Sequence, residues 1–100
     1  MKVKELLSDE SKWTKGVLAR TADGTACSPT SQHASCFCLL GAIDHCYAGS
    51  PCQIDISIVK LKRAIGRVVK HTPIPMTISQ FNDYHATFED LKKAIEIADI

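Results

Sequence analysis

An almost uninterrupted run of apolar residues lies near the middle of the chain, over positions 36–43. It reads Cys-Phe-Cys-Leu-Leu-Gly-Ala-Ile, and no wide polar face remains when these residues are placed on a helix. A helix that is apolar on nearly every side is normally buried at the centre of a domain. The run therefore predicts a central helix over residues 32–47, preceded by a Ser-Pro-Thr-Ser break and ended by Gly49-Ser50-Pro51.

Amphipathic patterns predict further helices on either side of the central one. A short first helix is expected over residues 2–12, and a third over residues 56–70, with Asp55 or Ser57 as the cap of the third. The apolar stripe of the third helix is formed by Ile58, Leu61, Ile65 and Val68.

The C-terminal part of the chain carries the pattern of a last helix. Thr87-x-x-Asp90 resembles a capping box, with Asp in the place of the usual Glu, and it opens a helix that runs to about residue 98. Before that helix, residues 76–81 are expected to be extended or a loop, and Asn82-Asp83 is expected to form a turn.

Between the first and central helices, the pattern predicts a β-hairpin over residues 17–27. Asp23-Gly24 supplies its turn, because this pair favours positive φ. The expected fold class is therefore α+β and mostly helical, with three to four helices around the central apolar helix and a small β-hairpin. A chain of 100 residues corresponds to a single domain, which would span residues 1–100.

Composition and charge exclude several classes of protein. Apolar residues make up 45% and charged residues 23%, as in ordinary globular domains, and the net charge of +1 argues against a nucleic-acid partner. The N-terminus lacks the apolar core of a signal peptide, and no apolar run approaches the ~20 residues that span a bilayer. We therefore expect a cytoplasmic protein with no membrane contact.

Five cysteines fall at positions 27, 36, 38, 46 and 52, an odd number with no Cys-x-x-Cys pair. In the cytosol such residues behave as small buried hydrophobes. A zinc site, a reactive thiol or a disulfide are the alternatives. Cys38 and His45 are separated by ~10 Å of helical rise, which is too far for both to bind one ion. We expect no metal and no cofactor.

Several short motifs occur in a fixed order along the chain. They are Trp13-x-x-Gly16, Ala19-Arg20-x-x-x-Gly24, Cys38-x-x-Gly41-Ala42 and Phe81-Asn82-Asp83. This order resembles an uncharacterised family of small bacterial and phage proteins, in which Trp is more frequent where this chain has Phe81. The resemblance spans most of the chain. It implies a bacterial or phage origin and the boundaries of the fold, and the family has no assigned activity.

A first hypothesis for the function is catalysis by a cysteine thiol. Papain-like enzymes place an oxyanion-stabilising Gln six residues before a nucleophilic Cys near a helix N-terminus, and Gln32 and Cys38 have this spacing. His71 or His85 would act as the base. The residue after Cys38 is Leu39 where those enzymes have an aromatic, and the alternative is that Cys38 is a small packing residue.

A second hypothesis for the function rests on the basic face of the third helix. Lys60, Arg63, Arg67 and Lys70 follow one another at i, i+3, i+7 and i+10 and so share one side of the helix. Residues 56–71 contain no acid. The face would meet an acidic protein or a small anionic ligand, unless it is simply a solvated outer surface.

A third reading concerns the segment around Asn82, Asp83 and His85, which clusters aromatic and polar side chains in an expected surface loop. If the domain has a pocket, this loop and Arg20 are expected to form its rim. The alternative is an Asx turn that sets the angle of the last helix.

The leading interpretation is a small cytosolic, non-catalytic binding or interaction protein of bacterial or phage origin, with an accessory or host-interaction role. Gly41 permits a close approach to the central helix by another element of the chain or by a second subunit, so a homodimer is a further expectation. The alternative function is a small thiol hydrolase that uses Cys38 and a histidine.

Overall fold

The computed structural model describes residues 1–69 and 76–100. In this part of the chain, five α-helices and three β-strands form an α+β fold that is mostly helical, as predicted. The helices are α1 (Val3–Leu6), α2 (Leu39–Cys46), α3 (Pro51–Val68), α4 (Ile78–Gln80) and α5 (Phe88–Ala98), and the strands are β1 (Ala19–Thr21), β2 (Ala26–Cys27) and β3 (Ala34–Phe37). A 3₁₀ turn at Glu10–Lys12 and a π-helical turn at Phe81–His85 complete the list.

The three strands form one antiparallel sheet with β1 in the middle. Its β1–β2 pair is the predicted hairpin, with Ala19 opposite Cys27. In the turn, the carboxylate of Asp23 accepts hydrogen bonds from the Thr21 hydroxyl and the Thr25 backbone N–H, which lower the pKa of Asp23 to about 2. The local Asp-Gly signal was therefore sufficient to locate this hairpin.

The prediction of a helix over residues 32–47 is wrong in its first part. Residues 34–37 are β3, and the helix begins only at Leu39. A short apolar run does not distinguish a buried strand from a buried helix. Here sheet pairing decides, because β1, whose Ala19 is buried, needs a partner on its second edge, and Ala19 pairs with Phe37 there.

Three other boundaries also differ from the prediction. The third helix begins at Pro51, because proline is well suited to the first helical position, and Ser57 is buried inside the helix instead of capping it. Residues 78–80 are helical, where an extended segment or a loop was expected, because Thr77 and Gln80 form a capping box. The first helix is confined to α1.

The predicted cap of the last helix is observed, whereas the predicted end of the third helix is not described. The capping box at Thr87 is confirmed, since its hydroxyl accepts the Asp90 N–H at 3.2 Å. The expected end of the third helix, with Lys70 and His71, lies outside the described residues. In the described part of the chain, no helix combines the length and the apolar content that crossing a membrane requires.

The buried core is built mainly from the helices. Leu39 and Ile43 of α2 are fully buried, as the apolar run predicts, whereas Leu40 is partly exposed. Most of the remaining core residues come from α1, α3, α5 and the π-helical turn, namely Val3, Leu61, Ala64, Ile65, Phe81, Leu91, Ala94 and Ile95. Their burial brings α2, α3 and α5 around a common apolar interior.

Gly41 is the point of closest approach between α2 and the segment before β1. A Cβ atom built on Gly41 would overlap the backbone carbonyl oxygen of Leu18, and the same oxygen accepts a hydrogen bond from the Cys38 N–H at 3.1 Å. The side of α2 that carries Gly41 therefore packs against another segment of the same chain. Gly41 is buried in this contact and offers no surface to a second subunit.

We predict that Gly41→Ala will destabilise the protein by roughly 1–3 kcal/mol, because the added methyl group forces the Leu18 backbone away from α2. Gly66→Ala is the matched control. Gly66 lies on the exposed side of α3 with open space around its Cβ position, so alanine there is expected to stabilise the helix by up to about 1 kcal/mol. Urea denaturation followed by circular dichroism measures both changes, and equal stability of Gly41→Ala and wild type would refute the close packing.

Candidate functional site

The side chain of Asn82 is the centre of a buried hydrogen-bond network. Its Oδ1 accepts hydrogen bonds from the Trp13 Nε1–H at 2.8 Å and from the Leu39 backbone N–H at 3.0 Å. Its Nδ2 donates to the Thr14 carbonyl at 3.1 Å and to the Asp83 carboxylate at 2.8 Å. These four bonds use both lone pairs and both N–H groups of the amide. Asn82 is 1% exposed, so the expectation that it lies in a surface loop is wrong.

The π-helical turn places Asn82 in this position. The capping box at Thr77 starts α4, and the fully buried Phe81 ties the following turn to the core. The Ala86 N–H then donates to the Phe81 carbonyl at 2.9 Å, which closes a turn one residue wider than that of an α-helix. The wider turn directs the amide of Asn82 towards Trp13 and α2.

Trp13 anchors the N-terminal segment to this network. Its ring is half-buried, with its centroid 6.0 Å from that of Phe88, and the Lys15 ammonium group lies 4.9 Å above it. The segment that follows is held by Asp83, whose Oδ1 accepts the Gly16 N–H at 3.1 Å. Three segments that are distant in sequence therefore meet around Asn82, at Trp13–Leu18, Cys38–Gly41 and Phe81–Asp83.

We predict that Asn82→Ala will lower the free energy of unfolding by about 2–5 kcal/mol, because it leaves the buried Leu39 N–H and the Trp13 indole N–H without an acceptor. Trp13→Phe removes one donor and leaves the bond to Leu39 in place, so its cost should be clearly smaller. Both values come from urea denaturation followed by circular dichroism. A cost of Asn82→Ala below half a kcal/mol would contradict the central role of this amide.

A cavity of about 160 Å³ opens beside the network. Three segments line it, each of them carrying part of the motifs found in the sequence. The lining residues are Gly16, Val17, Leu18, Cys38, Leu40, Ile78, Ser79, Asn82 and Asp83. Four of the nine lining residues are aliphatic, and Ser79, Asn82 and Asp83 bring polar groups to the cavity. Sites that bind small ligands likewise combine apolar walls with a few placed polar groups.

Asp83 is the charged residue of the cavity. Its Oδ1 accepts from both the Gly16 N–H and the Asn82 amide, so the carboxylate is held in one orientation. No hydrogen bond to its Oδ2 is recorded from the described part of the chain. None of the residues that line the cavity is a lysine, arginine or histidine, so the negative charge of Asp83 has no cation beside it there.

Cys38 lies at the base of the same cavity, as the N-cap residue of α2. Its Sγ accepts the Gly41 N–H at 3.3 Å, which gives the thiol the capping role that serine or threonine usually has. Burial raises the pKa of the Cys38 thiol above its usual value of 9.0, and the negative charge of Asp83 raises it further. The thiol is therefore protonated at neutral pH.

The histidines among the described residues do not line this cavity. His85 is exposed and does not line the cavity, and Gln32 is exposed beside His33. The Nδ1–H of His45 donates to the Pro29 carbonyl at 2.8 Å, with the ring resting on Phe37. His71 lies outside the described residues. Within the described residues, the structure therefore places no Cys–His pair in this cavity.

Arg20 does not line the cavity either. Its guanidinium group donates to the Thr14 hydroxyl at 3.0 Å and to the carbonyls of Gly24 and Lys15. These bonds tie the hairpin turn to the segment that follows Trp13, so Arg20 has a structural role. The predicted basic residues Lys60, Arg63 and Arg67 line a separate groove between α3 and α5, and Lys70 lies outside the described residues.

The five cysteines are all unpaired thiols in the structure. Cys38 is buried, Cys52 is exposed, and the other three lie between these extremes. Over residues 1–69 and 76–100, no three His, Cys, Asp or Glu side chains come together as a metal site would require. The sheet also separates Cys27 from Cys36, because β1 runs between their strands.

Most of the residues that line the cavity were not predicted from the sequence, in particular Val17, Leu40, Ile78 and Ser79. A local signal was available for two of them. Thr77 and Gln80 have the spacing of a capping box, and this pattern indicates a helix start that carries Ile78 and Ser79. No local signal indicates that this helix packs beside Gly16 and Cys38.

We predict that iodoacetamide will modify Cys38 more slowly than the exposed Cys52 at pH 7, with rates that differ by about tenfold or more. The reason is that alkylation requires the thiolate. Since the pKa of Cys38 is raised, the rate at Cys38 should increase as the pH rises above 9.0. Peptide-resolved mass spectrometry measures each site separately. Equal rates at Cys38 and Cys52 at pH 7 would show that Cys38 is an activated thiol.

One protein family matches nearly the whole chain. The match covers residues 1–98, and the family is described as a family of unknown function, DUF6197. No curated protein and no solved structure matches the chain. Membership of an uncharacterised family is therefore confirmed, while the expected bacterial or phage origin stays a prediction.

Proposed function

We propose that this chain, which belongs to the family of unknown function DUF6197, is a non-catalytic binding protein whose cavity beside Asp83 holds a small amine. The carboxylate of Asp83 is the observation that carries the proposal. It lines a cavity with four aliphatic side chains, it is held by two donors, and no cation accompanies it among the lining residues. A ligand ammonium group would supply the missing positive charge.

The energetic argument rests on the walls around this carboxylate. Val17, Leu18, Leu40 and Ile78 reduce the water around Asp83, and charge-assisted hydrogen bonds are stronger where the effective dielectric constant is lower. The bonds from Gly16 and Asn82 hold the acceptor in place before the ligand arrives, so little ordering cost falls on binding.

The size of the cavity limits the ligand. A volume of about 160 Å³ is below the roughly 300 Å³ at which sites for drug-sized molecules begin. The ligand class is therefore a small primary amine with a short apolar part, or the end of a lysine side chain of a partner. This charge preference is opposite to the small anionic ligand that the basic face of α3 led us to expect.

A thiol hydrolase that uses Cys38 receives no support from these observations. The protonated thiol caps α2, and neither His85 nor Gln32 lines the cavity. A cytoplasmic, bacterial or phage accessory protein with a host-interaction role remains part of the proposal, supported by the resemblance of its motifs to those of such proteins. Fractionation of bacterial cells that express the tagged chain tests the location.

We predict that butylamine and phenethylamine will shift the backbone amide resonances of Gly16 and Asp83 in ¹H–¹⁵N spectra, whereas butanol and phenylethanol will not. Asp83→Asn should abolish these shifts, because it removes the charge and keeps an oxygen that accepts the Gly16 N–H. Asp55→Asn is the matched control, since Asp55 is exposed on α3 and does not line the cavity.

The experiment has two outcomes that would refute the amine site. One is an equal response to the amines and the neutral alcohols. The other is amine binding that survives in a folded Asp83→Asn variant, with folding checked by its melting temperature. Either result would show that Asp83 does not select the ligand.

A further inference from the structure

The groove between α3 and α5 combines three cations with an apolar floor. Its lining residues are Lys60, Arg63, Ala64, Arg67, Ile97 and Ala98, and its volume is about 220 Å³. No acid is among them. Within the described residues, the ion pairs join Lys2 and Lys4 to Asp99. No ion pair there neutralises the three cations of this groove.

A second groove of about 310 Å³ continues the first, because Arg67 and Ile97 line both. Lys60 shares the first groove with Ala98, and Val68 shares the second with Asp90, so α3 and α5 run in opposite directions. From Lys60 to Val68 the combined groove extends about 12 Å along α3. It can therefore accept a short segment of another chain.

The two ends of the combined groove differ in charge. The first groove carries Lys60, Arg63 and Arg67 without an acid, whereas the second adds Lys93 together with Asp90 and Glu96. Ile97 lies where they join and is 46% exposed, so its aliphatic side chain is accessible to a partner at this point. The charge excess is therefore confined to one end, with an apolar contact next to it.

We propose that the combined groove is a docking site for an acidic segment of a partner protein, which places carboxylates against Lys60, Arg63 and Arg67 and an apolar side chain on Ile97. Charge complementarity identifies this occupant. Nucleic acid fits less well, because no aromatic side chain lines either groove to stack on a base and the floor is aliphatic. The docking site shares no residue with the amine cavity and does not depend on it.

Fluorescence anisotropy with a short fluorescein-labelled peptide of alternating Glu and Leu residues tests the proposal. We expect binding that weakens with added salt, because exposed charges are screened. Arg63→Glu combined with Arg67→Glu should weaken binding by about tenfold or more, since it replaces two attractions by repulsions. The melting temperature should change little, because exposed charges contribute little to stability.

The matched control is Lys12→Glu combined with Lys62→Glu. Both lysines are exposed, neither lines the groove, and the change in net charge is the same. Binding to this control should stay within about twofold of wild type if contact in the groove, and not net charge, holds the peptide. Ile97→Ser should weaken binding without altering its salt dependence, because it removes an apolar contact only.

Several results would overturn the docking site. They are equal weakening in the two double variants, equal binding of a peptide with Gln in place of Glu, and no binding of the acidic peptide to wild type. Binding of a short DNA duplex or of inorganic phosphate in preference to the peptide, lost in the Arg63→Glu/Arg67→Glu variant, would assign the groove to phosphate groups instead. Asp83→Asn should bind the peptide as wild type does, which separates this test from that of the cavity.

Discussion

The four hydrogen bonds of the Asn82 side chain are the interaction on which the arrangement of this small protein depends. A buried amide must satisfy its donors and acceptors, and here the partners are two backbone groups, the Trp13 indole and the Asp83 carboxylate. One of the partners is the Leu39 N–H, the first of α2, which has no acceptor within its own helix. Asn82 therefore caps α2 from a distance of 43 residues in sequence.

The cap of α2 is completed by Cys38, so this cysteine has a structural role at the start of the helix. The thiol accepts the Gly41 N–H, while burial favours its protonated form. At the same place, the absence of a side chain on Gly41 lets the Leu18 carbonyl reach the Cys38 N–H. Cys38, Gly41 and the Leu18 carbonyl thus all contribute to the start of α2. Substitutions at these positions are therefore expected to affect folding before they affect the binding of any ligand.

The two proposed binding regions differ in their relation to stability. The cavity is walled by the same segments that Asn82 and Asp83 hold together, so its shape is a by-product of the core packing. The groove between α3 and α5 is formed by long exposed side chains on two well-packed helices. Its charges can change with little effect on stability, because solvent already screens them.

Local signals in the sequence were sufficient for several elements. The Asp23-Gly24 turn located the hairpin, the Thr87 box located α5, and Gly41 indicated a close approach to the central helix. Each of these signals acts within a few residues, through backbone conformation or the space available to a side chain. They also established the α+β, mostly helical class, whereas the expected single domain over residues 1–100 stays a prediction.

The tertiary structure decided what depends on distant partners. Residues 34–37 form a strand because one edge of β1 would be unpaired without them. Asn82 is buried because Trp13, Thr14 and Leu39 supply its hydrogen-bond partners. The cavity beside Asp83 exists only where these segments meet, so no stretch of sequence reveals it. Sheet pairing and the satisfaction of buried polar groups are requirements of the whole fold, and a pattern read along the chain does not contain them.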